Sequence, residues 1–66
     1  MPDLRVENHG SIALLIPQNE TAREWLNDNV ASEPWQWFGD GLAAEPRYVD
    51  MLIDGALDEG LEVEVA

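Results

Sequence analysis

Glycine and proline interrupt this chain so often that only short elements fit between them. Gly10, Pro17, Pro34, the Gly39-Asp40-Gly41 run, Pro46 and Gly60 each close or open a patterned segment. Proline breaks helix interiors and central strands and glycine weakens both, so these positions mark boundaries. No apolar run between them approaches the ~20 residues needed to span a bilayer. The N-terminal Met1-Pro2-Asp3-Leu4-Arg5 also lacks a basic region followed by an apolar stretch, so a cytoplasmic protein is expected.

The patterns between the boundaries name the elements. Leu4, Val6 and Asn8 alternate with Arg5 and Glu7, and after His9-Gly10 the run Ser11–Ile16 is apolar until Pro17. This predicts a hairpin turning at Gly10. Thr21-Ala22-Arg23-Glu24 fits a capping box, and Ala22, Trp25, Leu26 and Val30 recur at helical spacing, predicting a helix over about 20–29. Beyond the Ser32-Glu33-Pro34 breaker, Trp35-Gln36-Trp37-Phe38, the glycine turn and Leu42-Ala43-Ala44 predict a second, shorter hairpin. Pro46 suits the first position of a second helix that carries Val49, Leu52, Ile53, Ala56 and Leu57 on one stripe and stops at Gly60. Leu61, Val63 and Val65 then alternate with Glu62 and Glu64 as a half-buried strand. The expected fold is α+β, a single domain over residues 1–66 in the order β-β-α-β-β-α-β. Its small, mostly antiparallel sheet has two helices on one face.

A chain of 66 residues buries only ~60% of the surface its unfolded form exposes, so the core must be compact. Hydrophobic residues, 45% of the total and including three Trp, are enough to drive folding as a monomer or small homo-oligomer. With no cysteine there is no disulfide, thiolate metal site or thiol nucleophile.

Residues that carry chemistry are sparse. Ser11 and the single His9 are the nearest approach to a nucleophile and base, but a hairpin turn offers neither an oxyanion hole nor a shaped pocket. No segment has the alternating oxygen ligands, central glycine and closing Glu of a calcium loop, so no metal or other cofactor is expected. Gly39-Asp40-Gly41 lacks the glycine spacing and the lysine of a phosphate loop. The chain reads as a non-enzymatic protein.

Charge is the informative feature. Fourteen Asp and Glu stand against three Lys plus Arg, for a net charge of −11. Nucleic acids and anionic membranes are bound through Lys and Arg, so direct binding to either is not expected. The expected partner is a basic protein. Asp50, Asp54 and Asp58 recur every fourth residue and stack along one side of the second helix, where each like-charge neighbour costs ~0.2–0.5 kcal/mol. Glu59, Glu62 and Glu64 carry the acidity into the last strand, with Asp40 or Glu45 within reach and Arg47 available to offset Asp50 or Asp54 in part. Two readings stand for these residues, a solvated face and a partner-binding face. A chain of this size exposes ~4,200 Å², so its net charge averages about one per 380 Å². B-DNA carries about one per 110 Å². An even distribution is too dilute to imitate DNA, so a mimic must concentrate its acids on one face or multiply them by dimerising. Trp35 and Trp37 share one face of their strand, as core packing or as an interface anchor.

Asn8-His9-Gly10-Ser11, Trp37-Phe38-Gly39, Arg47-Tyr48 and the closing Gly60-Leu61-Glu62-Val63 resemble short proteins of phages and mobile elements of proteobacteria, over most of the chain. Within that group the size and acidity are similar to anti-CRISPR proteins, in particular small acidic ones directed at type I CRISPR-Cas effector complexes. The resemblance implies an inhibitor in the host-cell cytoplasm that occupies a DNA-binding surface of a Cas protein, such as the surface that reads the PAM. It transfers no functional residue, so Asp50, Asp54, Asp58, Glu59, Glu62 and Glu64 are candidates on the charge argument alone. Two alternatives remain. One is a non-enzymatic interaction module or regulatory subunit using the Trp35/Trp37 face, and the other is a chain whose acidity serves solubility in a high-salt cytoplasm.

Overall fold

The structure, a computed structural model, describes residues 1–30 and 37–66. The Ser32-Glu33-Pro34 breaker and the expected strand residues Trp35 and Gln36 lie outside these. The elements are β1 (Leu4–Asn8), β2 (Ala13–Pro17), α1 (Glu20–Asn29), β3 (Trp37–Phe38), β4 (Gly41–Ala44), α2 (Pro46–Asp58) and β5 (Val63–Val65). This is the α+β order that the sequence pattern predicts.

The described strands form one sheet in the order β3-β4-β2-β1-β5. All neighbours are antiparallel except β1 and β5, which run parallel. β4 and β5 run in the same direction at separated places in the sheet, so no tight turn can join them, and α2 supplies the long connection from β4 across to the far edge.

Several ends differ from expectation, each for a local reason. The His9 amide donates to the Ile12 carbonyl at 2.9 Å, which keeps Ser11 and Ile12 in the loop, so β2 starts at Ala13. The N-cap of α1 is Asn19 and not Thr21. Its Oδ1 accepts from the Ala22 amide at 2.9 Å, satisfying a first-turn donor that Thr21, already inside the helix, cannot reach. In the second hairpin Gly39 and Asp40 alone join β3 to β4, and Gly39 has φ +59°, a conformation that side-chain-bearing residues resist. At the end of α2, the Gly60 amide bonds to the Leu57 carbonyl at 3.0 Å and the Leu61 amide to Ala56 at 3.0 Å. This Schellman closure requires the positive φ of Gly60, +88°, and seats Leu61 in the core instead of in the strand.

Alternation sets the two faces of the sheet. Leu4, Val6, Ala13, Leu15 and Leu42 point to one side and pack with Leu26 of α1, Val49 and Ala56 of α2, and Leu61. The largest fully buried side chains, Leu4, Leu15, Leu26 and Leu42, each contribute about 1.5–3 kcal/mol of burial. Trp25, Leu52 and Ile53 pack at the margin of this core. Leu57, expected on the core stripe, is 53% exposed, because helical rotation carries it past the sheet edge. A Cβ built on Gly55 would lie 3.2 Å from Cζ2 of Trp25, so the glycine lets the indole of α1 rest directly on the backbone of α2. Both helices therefore cover the same face.

Candidate functional site

α2 positions three of the six candidate carboxylates. Asp50, Asp54 and Asp58 are all exposed along it, and helical spacing sets Leu57 on one side of the stripe and Met51, 68% exposed, on the other. Glu59, also exposed, is the C-cap residue. The acidic surface of α2 is thus a line of carboxylates bordered by apolar side chains.

The remaining two occupy different surroundings. Glu62 lies beside the N-terminus, its Oε2 4.0 Å from the Met1 amine, and its backbone carbonyl accepts from the amides of Asp3 and Leu4 at 2.9 and 3.0 Å. Glu64 pairs in register with Arg5 on β1, whereas its neighbours Val63 and Val65 pair with the inward-facing Leu4 and Val6. Alternation therefore puts Glu64 on the sheet face opposite α2. Asp40, in the turn between β3 and β4, is at the opposite edge of the sheet from β5.

The cations are engaged elsewhere. Arg5 Nε is 3.4 Å from Glu7, Arg47 Nε is 2.8 Å from Glu45, and the Arg23 guanidinium sits 4.8 Å over the Trp37 ring. Arg47 also covers the Tyr48 ring at 4.9 Å, and it makes no ion pair with Asp50 or Asp54. Among the described residues, Asp50, Asp54, Asp58, Glu59 and Glu64 make no ion pair. Trp37 faces the core beside Leu42, consistent with the packing reading of that residue, while Trp35 lies outside the described residues.

A polar junction that the sequence pattern did not reveal holds β5 to the N-terminus. Asp3 Oδ2 accepts from the Glu62 amide at 2.9 Å and Oδ1 from Asn19 Nδ2 at 2.6 Å. The Gln18 amide donates to the Asp3 carbonyl at 2.8 Å. The Glu62 amide first, then the Asn19 side chain, holds the Asp3 carboxyl below the usual carboxylate range. A lone Asp in an N-terminal segment carries no local signal of this, because the β1–β2 pairing brings Gln18 and Asn19 to it and the β1–β5 pairing brings Glu62.

No family model, curated protein or solved structure matches this chain. Among the described residues no group of three or more His, Asp or Glu could hold a metal ion, and no helix is long and apolar enough to cross a membrane. His9 Nε2 is 3.1 Å from Glu7 at an exposed turn. A groove of about 510 Å³ runs between Val30, Ala44, Tyr48 and Leu52 and is open to solvent.

Proposed function

We propose that this protein is an acidic, non-enzymatic inhibitor that occupies the DNA-binding surface of a basic protein. Its resemblance to small anti-CRISPR proteins makes a type I Cas effector subunit the target to test. The observation that carries the reading is the lack of compensation on α2, where no cation is paired with Asp50, Asp54, Asp58 or Glu59 among the described residues while each Arg is engaged elsewhere. The average density, −11 over 4346 Å² or about one charge per 395 Å², remains far below that of DNA. Binding therefore depends on local concentration along α2, at Asp50, Asp54, Asp58 and Glu59, and steering by this field mainly speeds association.

The test measures binding of a PAM-containing duplex by a purified type I effector complex, with and without this protein, at low and high salt. The reading expects competitive inhibition that falls steeply with salt and weakens for Asp54→Asn combined with Asp58→Asn. Undiminished inhibition by the double variant would remove α2 as the binding face. A second reading, an interaction module insensitive to salt, is favoured by Phe38, 60% exposed on the sheet face that neither α1 nor α2 covers. Recovery of a salt-indifferent host partner with no effect on effector complexes would select it.

A further inference from the structure

The face of the sheet turned away from α1 and α2 is divided in two. Register sets Glu64, Arg5, Ile16, Gly41 and Phe38 in one row across all five strands, with Glu7, Leu14 and Ala43 in a second row beside it. The β5 and β1 half is ionic, its Arg5–Glu7 pair leaving Glu64 as net negative charge. The β2, β4 and β3 half is apolar. Leu14 and Ile16 lie 3.3–3.7 Å from where a Cβ on Gly41 would stand, and Phe38 flanks the same glycine, so a shallow apolar trough runs along β4.

β2 is apolar on both faces, Ala13 and Leu15 inward and Leu14 and Ile16 outward, which is the pattern of a strand covered on both sides. Three adjacent strands span about 10 Å, the diameter of one α-helix and too narrow for a second five-stranded sheet. Charge selects the chemistry of the helix. A second copy would bring another −11 against this one, whereas a cationic helix gains from the same field, with the Arg5–Glu7 pair bordering the trough and the carboxylate of Glu64 one strand beyond it.

We infer that this sheet face, which no described element covers, docks at Leu14, Ile16, Gly41, Ala43 and Phe38 an amphipathic, lysine- or arginine-rich helix of a partner protein. This inference shares with the proposed function only a cationic partner, and it uses a surface on the opposite side of the sheet from α2.

The experiment titrates the isotope-labelled protein with a synthetic helical peptide of about four turns, Leu on one face and Lys on the other. The control peptide keeps every Lys and replaces each Leu with Gln. The Leu/Lys peptide is expected to bind about tenfold more tightly, with amide shifts centred on residues 14, 16, 38 and 41. Phe38→Ser should abolish about that factor, while Asp54→Asn with Asp58→Asn should weaken both peptides and leave their ratio unchanged. Equal affinity of the two peptides, or shifts confined to α2, would overturn the inference. So would a wild-type dimer in sedimentation that Phe38→Ser dissolves. If Phe38→Ser disturbs the fold, the wild-type shift map and peptide ratio decide the question alone.

Discussion

Substituting Gly55 sets two opposing effects of known size against each other. In a helix interior, Gly→Ala gains about 1 kcal/mol from reduced backbone entropy and better propensity. Here the new Cβ would stand 3.2 Å from Cζ2 and 3.5 Å from Cη2 of Trp25, a rigid ring that must shift by a few tenths of an ångström. Over-packing of this kind costs about 1–3 kcal/mol, and because Trp25 is only partly buried the lower half of that range applies. Gly55→Ala is therefore expected to be neutral to about 1 kcal/mol destabilising in the wild type, yet stabilising by about 1 kcal/mol in a Trp25→Ala background. The difference, a coupling of about 1–2 kcal/mol, can be measured by urea unfolding of the four proteins in the cycle. A domain this small should have an m value near 1 kcal/mol/M, so the coupling appears as a midpoint difference of about 1–2 M. Its total stability is about 3–10 kcal/mol, and Trp25→Ala costs up to about 3–5 kcal/mol, so the cycle is run with a stabilising osmolyte common to all four proteins. Equal stabilisation by Gly55→Ala in both backgrounds would show that Trp25 does not rest on α2 and would refute the helix packing.

Asn19→Ala should cost about 1 kcal/mol or more in urea unfolding, because it removes the cap of α1 and also a donor to Asp3. Asp3 contributes a pH dependence of known sign. Its folded carboxyl titrates below the unfolded value of about 3.9, so its stabilisation is complete above that pH and is lost as pH falls through the folded value. The stability difference between wild type and Asp3→Asn should be constant from about pH 5 to 7 and shrink in the acid range below 3.9; a constant difference down to pH 2 would contradict the Glu62 and Asn19 contacts. The urea midpoint should rise with NaCl, since the Debye length of ~30 Å at 0.01 M exceeds the 27 Å long axis and falls to ~3 Å at 1 M. A flat profile would show that self-repulsion does not limit the fold.

The sequence by itself determined the elements. Val49, Leu52, Ile53 and Ala56 at helical spacing, Pro46 ahead of them and Gly60 behind leave little alternative to α2, and Gly39-Asp40 between apolar pairs specifies its hairpin. These signals are local, depending on backbone conformations that a residue accepts or refuses whatever surrounds it. Neither capping partner was as legible. Asn19 and Thr21 are both acceptable N-caps, and the outcome depends on where β2 releases the chain.

Tertiary structure alone decided what shares a face. The strand order and the parallel β1–β5 pair depend on contacts between distant segments, which short-range periodicity does not encode. That pairing makes Asp3 a junction, puts Glu64 across the sheet from Asp50, Asp54 and Asp58, and divides what the sequence presents as one acidic run. The β2–β4 and β4–β3 pairings leave Leu14, Ile16 and Phe38 together on a face that no described element covers, although sequence alone suggests only that β2 is apolar throughout. A strand's alternation tells which residues face the same way, but only the packed sheet tells which side the helices cover.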